Sequence, residues 1–116
     1  MLRRKRRLRC KDDSSDDDED DDDPKLPTRL GNRIFFYCVV SRKTILQLVK
    51  LLTEVMDDAA GWRGDLSVWI YIHSEGGDLY AGISAMTHIR EFPGSVHTVV
   101  DGFVASAATL LLLAGQ

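Results

Sequence analysis

The chain has 116 residues and a net charge of −3, from 15 Lys and Arg against 18 Asp and Glu. The charge is divided: residues 1–11 hold seven bases and no acid, and residues 12–23 hold ten acids and no base. Only 93 residues (116 − 23) remain to build a neutral core, which excludes a large multi-domain enzyme and a whole-chain nucleic-acid binder.

Residues 1–23 read as a disordered charged tail, because like charges repel and few apolar residues offset the entropy of ordering. The basic arm matches either a localisation or nucleic-acid patch or a solvated tail. Residues 24–32 (PKLPTRLGN) read as a linker by their prolines and glycine, and residues 33–116 as the folded domain. Ile34–Val40 is β-branched, aromatic and continuously apolar, as in a strand buried on both faces. Ser41 is placed to cap a helix of about 18 residues whose apolar positions, Ile45, Leu48, Val49, Leu52, Val55, Met56 and Ala59, recur at a spacing of three to four. Gly61 and Gly64 bracket a turn before a second strand, Leu66–His73. Ser74–Asp78 is a glycine loop, Leu79–Glu91 a helix stopped by Pro93-Gly94, and Ser95–Val100 a third strand. Asp101–Ala105 reads as a short loop. Ser106 opens a helix so apolar all round that full burial is expected. The order β-α-β-α-β-α predicts an α/β fold with a parallel sheet and right-handed crossovers.

No secretory signal is read, since Met1–Lys11 leads into acids rather than an apolar segment. The run Ala107–Ala114 falls well short of the roughly 20 residues needed to span a bilayer. Cys10 and Cys38 make no disulfide framework. The expectation is a soluble, cytoplasmic chain with no membrane contact.

Two loops leave the carboxyl ends of predicted strands, where open α/β sheets gather their sites. In His73-Ser74-Glu75-Gly76-Gly77-Asp78, paired glycines let the backbone approach a ligand, at the start of a helix that favours an anion. They equally suit a plain turn. In Asp101–Ala107, Ser106 stands between a strand and a helix. That position either exposes a nucleophilic hydroxyl beside the Ala107 amide, or makes Ser106 an ordinary N-cap.

Together the loops resemble one family. The stretch Trp69–Gly82 is similar to a strand followed by Asn-Ser-Pro-Gly-Gly and an Ala-Gly helix. Gly102–Gly115 is similar to a Gly-Gln-Ala-Ala-Ser-Met nucleophile turn and its helix. The family is the proteolytic subunit of the ATP-dependent Clp protease, and the resemblance covers roughly Gly31–Gln116. It implies the spiral of β-α-β units shared with crotonases, and serine endopeptidase action on unfolded polypeptides. Ser106 matches the nucleophile, and the Gly77 and Ala107 amides match the oxyanion hole. The strip Gly76, Gly77 and Asp78 would bind an extended peptide. Implied partners are an AAA+ unfoldase and homo- or hetero-oligomeric rings, two stacked heptamers in the family. ATP is used by the unfoldase alone, so no cofactor and no metal is expected here, and nucleic acid is not an expected partner.

The sequence departs from the pattern at Cys38, His73, Glu75, Phe103 and Ala107, where the family has Gly, Asn, Pro, Gln and Met. The family's His and Asp lie beyond the helix ending at Gly115, while this sequence ends at Gln116. The expectation is a domain truncated after the nucleophile helix, inactive by itself and exposing apolar surface. Of the three histidines, His88 and His97 are expected to be structural, and His73 is the one candidate for a substitute base. The alternatives are a non-catalytic subunit of a Clp-like ring and a crotonase-type acyl-CoA enzyme.

Overall fold

The computed structural model describes residues 26–59 and 65–116. The charged segment 1–23 and the Gly61–Gly64 turn lie outside the described residues. Four strands form one sheet in the order β1-β2-β3-β4: β1 (Thr28–Leu30), β2 (Arg33–Phe36), β3 (Ser67–Ser74) and β4 (Ser95–Val104). Strands β2, β3 and β4 run parallel. They are joined through helices α1 (Arg42–Asp58) and α2 (Leu79–Glu91), and α3 (Ala108–Ala114) follows β4.

Inside the expected linker, Thr28–Leu30 pairs antiparallel with β2. Gly31, at φ 65°, supplies the left-handed step that turns the chain between them. Arg29 then reaches Glu54 and Asp58 on α1, fastening the hairpin to the helix.

The strands are covered on one face, not two. Along β3 the burial alternates: Val68, Ile70, Ile72 and Ser74 are buried, while Trp69 and His73 are exposed. Ile34 and Phe36 of β2 join the same buried set, packed with Ile45, Leu48 and Leu52 of α1 and Ala85 and Ile89 of α2. The opposite face carries Phe35 stacked on Tyr71 and Trp69 stacked on His97. Continuous apolar runs concealed this, because aromatic residues stand where an alternating strand would show polar ones.

α1 begins as expected. Ser41 accepts from the Thr44 amide, and the Thr44 hydroxyl accepts from the Ser41 amide, which closes a capping box. β2 is shorter than expected, because the chain leaves the ladder at Tyr37 and returns only at Val40, which bridges to Gly77. β4 is longer, running through the predicted loop to Val104. α3 is not fully buried: Ala108 and Leu111 face the core, while Leu113 is 70% exposed. Its neighbours among the described elements, α2, β3 and β4, cover one side only.

Candidate functional site at the ends of β3 and β4

Three side-by-side pieces converge here: the turn after β4, the glycine loop after β3 and the exit of β2. Val40 organises the last two. Its amide donates to the Gly76 carbonyl at 2.8 Å, and its carbonyl accepts from the Asp78 amide at 2.8 Å. A parallel bridge of this kind leaves the N–H and C=O of the middle residue, Gly77, turned to the other side. Gly77 has to be glycine, since a side chain would run into the Val40 carbonyl and its φ is 151°.

Ser74 is the joint between the two loops. Its carbonyl accepts from the Ala105 amide at 3.1 Å, and its Oγ accepts from the Gly76 amide at 3.1 Å. The side chain is buried, so neither bond is shared with solvent. Its position just before a glycine pair is the sequence signal that would have revealed it, since serine hydroxyls commonly tie down local turns.

Ser106 is not an N-cap. It lies at φ 57°, the one non-glycine residue with positive φ among the described residues. The helix starts after it, with Ala107 in the cap position and no side-chain cap bond. A left-handed serine costs on the order of 1–3 kcal/mol and persists only where its surroundings enforce it. Here they do: the Ser106 carbonyl accepts from the Thr109 amide at 3.0 Å and the Thr109 hydroxyl at 2.5 Å. Gly76 presses against the turn from the other side. A Cβ on Gly76 would sit 2.6 Å from the Ser106 Cβ and 3.0 Å from the Ala107 nitrogen.

The consequence is an exposed serine whose turn abuts the glycine pair, with two unpartnered amides. The Gly77 and Ala107 N–H groups and the Ser106 Oγ make no hydrogen bond with another described residue. Two unpartnered backbone donors near a serine are the arrangement that could receive an oxygen gaining negative charge. Within the strip Gly76–Asp78, only Gly77 has neither main-chain group bonded to a described residue. Gly76 and Asp78 are tied to Val40, and the Asp78 carboxylate caps α2 by accepting from the Tyr80 amide.

The structure does not bring the His73 ring onto Ser106 by a hydrogen bond. His73 stands on the open face, and its ring packs edge-on to Tyr37 and Phe103. The alternation of β3 is the reason: Ser74 turns toward the site, so its neighbour turns away. His88 is exposed on α2, and His97 stacks on Trp69 with ring centroids 4.4 Å apart. Cys38 is half-buried, and burial pushes its thiol up to about 12. It is therefore protonated and unreactive near neutral pH. Among the described residues, no group of three or more His, Cys, Asp or Glu converges as metal ligands would.

Residues 31–116 match the Clp protease family. The chain belongs to that family. It is 47% identical over 49 residues to an ATP-dependent Clp protease proteolytic subunit 2 of Borreliella burgdorferi, a stretch covering 42% of this chain and 25% of that protein. The corresponding subunit of Treponema denticola is 45% identical over 49 residues, covering 42% of this chain and 24% of that one. The fold is similar to ClpP1 from Listeria monocytogenes, with a TM-score of 0.66 and 24% identity over 74% of this chain and 48% of that chain. It is also similar to the ClpP protease catalytic domain of Plasmodium falciparum, with a TM-score of 0.65, 24% identity, and coverage of 73% and 46%. The Clp-like segment thus spans about a quarter of the curated relatives it matches and just under half of the solved chains. The α/β fold with a mainly parallel sheet is the one expected, and membership of the Clp family sets aside the acyl-CoA reading.

Proposed function

We propose that this chain contributes the nucleophile half of a serine endopeptidase site. Ser106 attacks the scissile carbonyl. The amides of Gly77 and Ala107 receive the resulting oxyanion, and the free N–H and C=O of Gly77 pair with an extended peptide. The observation that carries this is the left-handed Ser106, held against Gly76 with both neighbouring amides unpartnered. A serine hydroxyl is a weak nucleophile without a base. A histidine and an aspartate are therefore supplied by polypeptide other than the described residues. The substrate class is unfolded polypeptide delivered by an ATP-using AAA+ unfoldase, within an oligomeric ring in the cytoplasm. The chemistry needs no metal or cofactor on this chain.

A peptidyl boronate tests the assignment. Boron should become tetrahedral on Ser106, detected by boron NMR, with shifts at the Gly77 and Ala107 amides. Ser106→Ala should abolish the adduct. Binding that survives Ser106→Ala overturns the proposal. A fluorophosphonate should fail to label Ser106 stoichiometrically in the 116-residue chain, and full labelling would refute the need for an outside base.

A further inference from the structure

The nucleophile turn grows out of an irregular stretch of β4. Ile72 pairs with Val100 and Ser74 pairs with Val104, so the single residue His73 lies opposite three residues, Asp101, Gly102 and Phe103. Two extra residues are thus bulged out immediately before Val104, Ala105 and Ser106. A bulge re-aims the residues after it, and it has alternative arrangements unless something holds it.

Here it is held from the open face. The Tyr37 hydroxyl donates to the Asp101 carboxylate, linking the exit of β2 to the start of the bulge. That bond, together with burial and the nearby carboxylate charge, raises the Tyr37 phenol above its ordinary value. The His73 imidazole lies on the middle of the bulge: a Cβ on Gly102 would come within 2.5 Å of His73 Nδ1, and Gly102 sits at φ 113°. The Phe103 ring meets His73 edge-on at 6.5 Å and Tyr37 meets it at 6.3 Å. Tyr37, Cys38, His73, Glu75 and Phe103 line one cavity of about 240 Å³. The exit of β2, the loop after β3 and the bulge of β4 therefore meet at one place.

We infer that Tyr37 and His73 are positioning residues for Ser106. Tyr37 fixes the bulge through Asp101, and His73 fixes it through Gly102 and Phe103. Past the bulge, the Ala105–Ser74 hydrogen bond passes that geometry to the left-handed turn. This rests on Ser106 being the nucleophile, so the experiment must separate the two ideas.

The test uses the 116-residue chain and a peptidyl boronate, with affinity read from the Gly77 and Ala107 amide resonances. Tyr37→Phe keeps the ring and deletes the donor, and Asp101→Ala deletes the acceptor. Each should weaken binding about fivefold, the worth of one ordinary net hydrogen bond. The double variant should be no weaker than either single one, because both remove the same bond. Asp101→Asn should bind nearly as wild type, since its amide oxygen still accepts from Tyr37. A loss of mere packing would not be rescued that way. Thermal unfolding of each variant, followed by circular dichroism, identifies any that fails to fold, and Asp101→Asn against Asp101→Ala then decides alone. Boronate binding that Ser106→Ala abolishes but that Tyr37→Phe and Asp101→Ala leave unchanged overturns the positioning role while leaving the nucleophile standing. Additive losses in the double variant also overturn it. Binding indifferent to Ser106→Ala sinks both ideas.

Discussion

The two faces of the sheet do different work. One is closed by α1, α2 and α3 over Ile34, Phe36, Val68, Ile70 and Ile72, each fully buried. The other leaves Tyr37, Trp69 and Phe103 exposed, with His73 between the Tyr37 and Phe103 rings and His97 stacked on Trp69. The same strands supply both, since successive side chains point to opposite faces. The closed face holds the fold together. The open face adds little burial but, at its carboxyl end, carries the cluster that lies on the β4 bulge. Burial and the contacts on the bulge thus lie on opposite sides of the same strands.

The largest effect should come from the closed face. Ile70→Ala should cost about 2–5 kcal/mol, the range for truncating a buried aliphatic residue, measured by urea unfolding. Trp69→Ala, its neighbour on the open face, should cost less than half as much. Equal losses would mean that something covers the open face in solution.

Gly76→Ala comes next. The new methyl would meet Ser106 and the Ala105 carbonyl at a backbone angle of φ 104°. A destabilisation of about 1–3 kcal/mol and complete loss of boronate binding are expected. Retained binding would show that the two loops are not in the contact described. Ser41→Ala removes half of a capping box on the closed side and should cost about 1 kcal/mol without touching boronate affinity.

The smallest effects are titrations. Comparison with Tyr37→Phe isolates the Tyr37 phenolate absorbance, which should appear above the ordinary value of about pH 10. Linkage sets the sign: a phenol held protonated by its partner contributes stability below its unfolded value and loses it as pH rises through the folded one. Titration below pH 10 would mean that the Asp101 bond does not form. Cys38 should react slowly with iodoacetamide at pH 8, because its thiol is held at about 12.

Much of this arrangement is legible in the sequence. The period of α1 and its Ser41 cap, the bounds of α2, and the glycine loop come from local rules, since helix periodicity, capping and glycine placement are short-range properties. The family resemblance rests on two motifs at a fixed separation. The expectations that failed did so for non-local reasons. Thr28–Leu30 became a strand because β2 offered an edge, despite a linker-like composition. β4 ran on through a predicted loop because Ser74 still had a partner waiting at Val104. His73 packs against Tyr37 and Phe103 because strand alternation turns it to the face opposite Ser74.

By itself, the sequence determined which residues are candidates for the chemistry. A serine at the head of a helix and a glycine pair at the head of another are written in the order of residue types. The tertiary structure decided that Ser106 is not the N-cap of α3. The residue type alone suits both an N-cap and an exposed nucleophile. The left-handed backbone that separates them is imposed by Gly76 on one side and the Thr109 hydrogen bonds on the other. The Gly76 contact joins loops about 30 residues apart, and a strained torsion that depends on such a contact leaves no trace in the local sequence.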